Sequence, residues 1–129
     1  MASIFTKIIN REIPGYIVAE NDDFIAFLDV FPLAKGHTLV VPKKEVDYIF
    51  DLEDDLLSGL HLFARKVAIQ IEKAVPCKRI GMAVIGLEVP HTHIHLLPLQ
   101  SVEDINFARP KLKFSEQEME EVARAIREA

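Results

Sequence analysis

The chain has 129 residues, of which half are hydrophobic and 27% are charged, a composition that supports one compact folded domain and excludes a disordered chain. Its net charge of −5 provides no general attraction for nucleic acid or for an anionic lipid surface. No apolar segment is long enough to cross a bilayer or placed as a signal peptide would be, and the single cysteine, Cys77, excludes an internal disulfide and a multi-cysteine metal site. We expect one cytoplasmic domain over residues 1–129, with neither membrane nor nucleic acid as a partner.

The first half of the chain predicts one short helix and three strands. Residues 4–13 favour a helix that the following Pro-Gly pair stops. Residues 16–19 and 24–29 are predicted as the two strands of a hairpin, because a turn-forming Asn-Asp-Asp sequence separates them. Residues 38–41 are a β-branched apolar run that predicts a third strand, which Pro42 ends or places at an edge.

The second half predicts one long helix, two strands and a closing helix. Residues 54–75 carry apolar side chains at helical spacing, with acidic residues at the start and Pro76 after the end. Residues 79–85 are apolar on both faces, as expected of a central strand, and residues 93–99 form another strand. A capping box begins an amphipathic helix over residues 115–126. Together these elements predict an α+β fold with a mostly antiparallel sheet, one long helix and a C-terminal helix.

Three of the five histidines, His91, His93 and His95, stand at alternate positions of a segment that favours extended structure. Alternate side chains of a strand point to the same face with a repeat of about 6 to 7 Å, so these imidazoles would line one wall around a single ligand. Imidazole is a nucleophile, a proton carrier near neutral pH and a ligand of zinc. Nucleophilic or phosphate-binding histidines and a zinc-dependent hydrolase using the three histidines both remain open at this point.

The segment HTHIHLL at residues 91–97 resembles the signature of the histidine triad (HIT) family, in which histidines alternate with hydrophobic residues. Thr92 is its one departure from the hydrophobic rule. Other parts of the chain are similar to Hint-like HIT proteins, in the same order as in that branch: residues 3–9, 13–14, 26–29 and 36–44. The resemblance covers residues 3–99 and implies a HIT-like fold.

The resemblance also implies an activity. In this family the middle histidine, here His93, attacks the α-phosphate of a nucleotide conjugate, and water then releases the nucleoside monophosphate. His95 and His37 would donate to the phosphate oxygens, and the carbonyl of His91 would fix the tautomer of His93. The implied function is a hydrolase or transferase that cleaves AMP phosphoramidates or dinucleoside polyphosphates without a catalytic metal or other cofactor. The implied state is a homodimer that binds purine nucleotides.

The same resemblance implies how the nucleotide is bound. Asp29 would bind the ribose hydroxyls, although a carboxylate after a strand is otherwise typical of a turn cap. The base would lie between apolar side chains that composition alone would place in the core. These side chains are Phe5, Ile8, Phe27 and Val30.

Two departures from the family pattern bear on metal and on substrate. Many bacterial relatives hold a structural zinc with two cysteines and two histidines, and the corresponding positions here are Ser3, Thr6, Glu45 and His91. We therefore expect no structural zinc, since zinc needs a closed set of Cys and His ligands. Glu88 stands in a short loop where a serine or glutamine often serves the leaving group.

The altered loop leaves an alternative function open, a nucleotide-binding interaction protein with little turnover. Turnover of an AMP amide separates that alternative from the hydrolase, and metal analysis separates both from the zinc hydrolase. The basic residues between Arg109 and Lys113 are predicted as solvated charges.

Overall fold

The computed structural model describes residues 2–129. The elements in chain order are α1 (Ile4–Ile9), β1 (Ile17–Glu20), β2 (Phe24–Leu28), β3 (Thr38–Pro42), α2 (Asp54–Ala74), β4 (Arg79–Ala83), β5 (Ile94–Leu99) and α3 (Glu116–Arg127), with short 3-10 helices at Ile49–Asp51 and Val102–Ile105. The strands form one antiparallel sheet in the order β1-β2-β3-β5-β4. The predicted α+β class, with its antiparallel sheet, long helix and C-terminal helix, is confirmed.

Helix α1 is shorter than the sequence predicts. Ser3 caps its start, because the Oγ of Ser3 accepts the backbone N–H of Thr6 at 3.1 Å. Arg11 then adopts a φ of 61°, in the left-handed region that ends helices, and the N–H of Glu12 donates to the carbonyl of Lys7 at 2.9 Å. The chain therefore reverses before it reaches the Pro-Gly pair that was expected to stop the helix.

Alternating side chains of the sheet build two separate apolar layers. On one face, α2 and α3 cover the main core, which includes Ala26, Leu28, Val40, Ile94 and Leu96 from the sheet and Leu60, Phe63, Ala64, Val67, Ile71, Met119, Ala123 and Ile126 from the helices. On the other face, α1 contributes to a smaller cluster made of Phe5, Ile8, Ile25, Phe27, Leu39 and Val41. Burial of apolar surface stabilises both layers. The larger layer holds the fold, and the smaller one leaves room for a site.

Strand β4 lies at the edge of the sheet, whereas its apolar sequence predicted a central strand. It pairs with β5 on one side, and Met82 is 47% exposed. The apolar residues on both faces of β4 therefore do not mean that both faces of the strand are buried. The last strand, β5, begins at Ile94, so His91 and His93 lie in the segment that leads into it and His95 lies within it.

In the part of the chain that the structure describes, none of the helices combines the length and the apolar character of a membrane-spanning segment.

Candidate functional site

A cavity of about 380 Å³ opens on the α1 face of the sheet, within the size range of small-molecule sites. Strands β2 and β3, helix α1 and the segment that follows β4 provide most of its walls. The predicted site residues that line it are Phe5, Ile8, Phe27, Asp29, Val30, His37, Glu88, His93 and His95. His91 is the predicted site residue that does not line it. Residues far apart in the chain therefore converge on one cavity.

His93 is held in a single tautomer. Its Nδ1 lies 2.8 Å from the carbonyl oxygen of His91, and a carbonyl can only accept, so Nδ1 carries the proton. The lone pair of the ring is then on Nε2, the nitrogen that a nucleophile would use. The ring of Phe5 stands edge-on to the imidazole at a centroid distance of 5.0 Å. The imidazole is therefore both oriented and largely shielded from water.

His95 and His37 form a relay that starts at the backbone. The N–H of Leu33 donates to the Nδ1 of His37 at 3.0 Å, so His37 carries its proton on Nε2. That Nε2 lies 2.9 Å from the Nδ1 of His95, which must therefore accept. The Nε2–H of His95 has no partner within residues 2–129 and remains available to a ligand in the cavity.

Both histidines of the relay are neutral near pH 7. Burial, and then the neighbouring His95, lowers the pKa of His37 to about 3. Burial, followed by the neighbouring His93, lowers the pKa of His95 to about 4. The relay therefore offers a hydrogen-bond donor to the cavity without offering a positive charge.

Asp29 follows β2 and divides its two oxygens between structure and cavity. Its Oδ1 accepts the backbone N–H of Phe31 at 2.9 Å, which is the turn-capping role that the sequence suggested. Its Oδ2 lies 3.6 Å from the Nε2 of His37. Burial is the main cause of a raised pKa for this carboxyl. One oxygen thus remains for a ligand beside the histidine relay.

The apolar residues split between the floor and the mouth of the cavity. Phe5, Ile8 and Phe27 are buried, and the rings of the two phenylalanines pack edge-on at 5.4 Å. Val30, by contrast, is 56% exposed at the mouth, and Glu88 is exposed in the segment after β4. The floor offers an apolar surface with two aromatic rings for a base, and the mouth is open to solvent.

The buried ring of His91 lies outside the cavity, in a separate polar cluster that extends to the surface. Its Nε2 donates to the carbonyl of Pro42 at 2.7 Å, and its Nδ1 accepts from the hydroxyl of Ser3 at 2.8 Å. Glu45 accepts from the hydroxyl of Thr6 at 2.6 Å and from the N–H of Ser3 at 2.7 Å. The Thr6 hydroxyl, followed by the Ser3 N–H, lowers the pKa of Glu45 to about 2. We call the side chains of Ser3, Thr6, Glu45 and His91 the N-terminal polar cluster.

The zinc-hydrolase alternative requires the three triad histidines to converge on one point, and they do not. Both ring nitrogens of His91 already have partners in the N-terminal polar cluster and at Pro42. The group of possible metal ligands that the described part of the chain does bring together is Asp29, His37 and His95, with ligand atoms within 4.8 Å of one another. In that group the two imidazoles are hydrogen-bonded to each other. The geometry therefore gives no support to a metal held by the triad.

Phe107 and Lys111 are among the cavity residues that were not anticipated from the sequence. Phe107 packs edge-on against the ring of His95 at a centroid distance of 4.7 Å, and Lys111 lines the same cavity. Lys111 is exposed, as expected of a solvated charge, and it also lines the cavity. No periodic pattern marks this segment, so the sequence offered no signal for its return to the site.

Comparisons with known proteins agree with this geometry. The HIT domain family profile matches residues 10–102. An uncharacterized HIT-like protein of Borreliella burgdorferi is 32% identical over 95% of this chain and 94% of its own length. An adenosine 5'-monophosphoramidase of Saccharomyces cerevisiae is 34% identical over 75% of this chain and 62% of its own.

A solved structure gives the same result for the fold. The crystal structure of a Hit-like protein from Bartonella henselae is 32% identical, has a TM-score of 0.84, and covers 98% of this chain and 95% of its own. The family profile, the long alignments and the shared fold lead to one conclusion. The chain belongs to the histidine triad (HIT) family.

Proposed function

We propose that this protein is a nucleotide hydrolase that cleaves AMP from an AMP conjugate at the α-phosphate, through a nucleotidyl intermediate on His93. One observation carries the proposal: the Nε2 lone pair of a buried, oriented His93 lies beside a neutral donor, the Nε2–H of His95. The ring centroids of these two histidines are 4.9 Å apart. A phosphoryl group between them would meet a nucleophile and a hydrogen-bond donor together.

The reaction has two steps. The Nε2 of His93 attacks the α-phosphorus, a P–N bond forms, and the bond to the leaving group breaks with its electron pair on the departing group. A departing phosphate keeps that pair as negative charge, whereas a departing amine takes up a proton from water. Water then attacks the same phosphorus, and the electron pair of the P–N bond returns to His93 as AMP leaves. The His91 carbonyl stabilises the charge that the imidazole gains in the first step. His95 donates to a non-bridging oxygen, and His37 orients His95.

The rest of the cavity would hold the nucleoside. The free oxygen of Asp29 accepts from the ribose hydroxyls, and the apolar floor around Phe5, Ile8 and Phe27 packs against the base. Val30 covers the exposed side of the base at the mouth of the cavity. Glu88 lies on the side of the leaving group, where its carboxylate disfavours strongly anionic groups by repulsion. The yeast relative, an adenosine 5'-monophosphoramidase, supports AMP amides as the substrate class.

The test is to trap the intermediate. The protein is mixed with an AMP amide, quenched within milliseconds under conditions that preserve P–N bonds, digested and analysed by mass spectrometry. We expect one added AMP on the peptide that contains His93. An adduct on another residue would overturn the assignment of His93. Tight binding of AMP without any turnover would instead favour the nucleotide-binding alternative.

We also propose that the protein is a homodimer. The outer side of β4 has no neighbouring strand in residues 2–129, and Met82 on this edge is exposed together with Leu62 and Ile69 of α2. An open edge with exposed apolar residues is a surface that pairs readily with another chain. Light scattering should give twice the chain mass of 14.6 kDa. A Met82→Lys variant should give the single-chain mass.

A further inference from the structure

The segment between β5 and α3 returns over the cavity, and we call residues 102–114 the C-terminal strap. The backbone N–H of Leu112 donates to the carbonyl of Pro32 at 2.7 Å, which ties the strap to the loop after β2. Phe107 then lies against the relay, 4.7 Å from the ring of His95 and 6.3 Å from that of His37. The HIT domain profile ends at residue 102, so almost the whole strap lies outside the family match.

Lys111 is held at the cavity through Phe107. Its ammonium donates to the carbonyl of Phe107 at 3.2 Å and lies 5.5 Å from the centre of the Phe107 ring, within cation–π range. Because the same ring also packs against His95, the ammonium is kept close to the proposed phosphate site. Lys111 is otherwise exposed, so no internal ion pair neutralises its charge in the part of the chain described.

The charge of Lys111 is the one fixed positive charge on the cavity lining within residues 2–129. Asp29 and Glu88 contribute carboxylates to the same lining, and the histidine relay is neutral. After burial and its histidine neighbour, the ammonium of Lys111 is a further cause that lowers the pKa of His37 and of His95. Its field therefore reaches the relay. A site for phosphate groups that lacked this cation would have donors but a net negative lining.

We propose that Lys111 forms a subsite for an anionic leaving group, binding the oxygens of the group that His93 displaces from the α-phosphate. This inference rests on the proposed function and adds to it a substrate preference. Glu88 and Lys111 put opposite charges on the same cavity lining. Lys111 favours conjugates whose leaving group carries phosphate or carboxylate oxygens, and it is indifferent to a neutral amine.

The experiment compares two substrates in matched variants. The kcat/KM is measured for diadenosine triphosphate, whose leaving group is anionic, and for an AMP amide of a neutral amine. We expect Lys111→Gln to lower the first value by about 10-fold to 100-fold, the range of one charge-assisted hydrogen bond, and to leave the second within a few-fold. Lys111→Arg should restore most of the loss. Lys113→Gln, on the same strap but not on the cavity lining, is the control.

Equal losses for both substrates would overturn the proposal, because Lys111 would then act on the α-phosphate and not on the leaving group. If Lys111→Gln changes neither kcat/KM value, the proposal is overturned as well. Binding keeps the test independent of turnover: calorimetry with ADP and with adenosine should show Lys111→Gln weakening ADP alone. If wild-type protein binds ADP through Lys111 but cleaves neither substrate, the hydrolase proposal fails while the anion subsite stands.

Discussion

One nitrogen of His93, Nε2, is free for chemistry, because the other, Nδ1, donates a hydrogen bond to the carbonyl of His91. We therefore expect His93→Ala to abolish the covalent intermediate and turnover, while nucleotide binding stays within a few-fold of wild type. Binding rests on Asp29 and the apolar floor, which this substitution leaves in place. Stopped-flow kinetics and calorimetry with AMP measure the two effects separately. His61→Ala, on the exposed surface of α2, is the matched control. Near-normal turnover in His93→Ala would refute the mechanism.

His95 and His37 are expected to contribute unequally. Removing the donor in His95→Ala should lower kcat by about 10² to 10³-fold, the usual cost of one oxyanion donor. His37→Ala should cost less, because His37 acts through His95 and water can replace its Nε2–H. Single-turnover rates of intermediate formation measure both. A larger loss in His37→Ala than in His95→Ala would mean that His37 contacts the phosphate itself.

At the scale of the elements, the N-terminal polar cluster joins α1 to the segment that carries the triad. Ser3 caps α1 and also donates to His91, and Glu45 accepts from Ser3 and Thr6. Both ring nitrogens of His91 and the hydroxyls of Ser3 and Thr6 have hydrogen-bond partners among protein groups. The cluster therefore fixes α1, and with it Phe5, over His93.

From this arrangement we expect stability that does not depend on metal. Dialysis against a strong chelator should leave the thermal unfolding midpoint unchanged. The four hydrogen-bonded side chains of the cluster do not form the set of Cys and His ligands that a structural zinc needs. Calorimetry before and after dialysis, with elemental analysis of the same samples, provides the measurement. About one tightly bound zinc per chain, together with a lower midpoint after its removal, would contradict the role given to Ser3, Thr6 and Glu45.

The sequence predicted elements best where periodicity was long. Helix α2 was expected over residues 54–75 and is observed at Asp54–Ala74, because acidic residues and Pro76 mark its ends. Strand β4 was predicted as a central strand but lies at the edge of the sheet. Apolar residues on both faces of a strand do not show whether the strand is central or at an edge. Helix α1 was predicted too long because the left-handed conformation of Arg11 has no signature in residue type.

At the scale of the whole molecule, the buried histidines couple stability to pH. His37 and His95 have pKa values of about 3 and 4 in the folded chain, below the ordinary value of 6.5. Between these values the unfolded chain binds more protons than the folded one, so protonation favours unfolding. The contribution to stability is complete above about pH 6.5 and is lost as the pH falls through that value toward about 4.

We therefore expect the free energy of unfolding to decrease as the pH falls from about 7 to about 5, with a slope of at most about 1.4 kcal/mol per pH unit for each histidine. Urea titrations at several pH values measure this slope. The carboxyl of Asp29, whose pKa is raised by burial, contributes to the pH dependence with the opposite sign. His95→Gln should flatten the slope, whereas His61→Gln should not. A slope unchanged in His95→Gln would contradict the assignment.

The site was predictable to the extent that the triad and the upstream blocks carry a recognisable pattern. They indicated which residues line the cavity, but not that the His91 ring lies elsewhere or that His37 is hydrogen-bonded to His95. Those facts depend on which nitrogen meets which backbone group. Lys111 could not be predicted, because its place depends on the path of an irregular segment held by Leu112 and Pro32.

The two apolar layers of the sheet have a consequence for how this protein can evolve. The layer beneath α2 and α3 is large and remote from the cavity, whereas the cavity draws on the small layer and on exposed positions such as Val30, Glu88 and Lys111. Substitutions at exposed positions usually change stability by less than about 0.5 kcal/mol. Substrate choice can therefore change, in evolution or by selection in the laboratory, with little change in the free energy of unfolding.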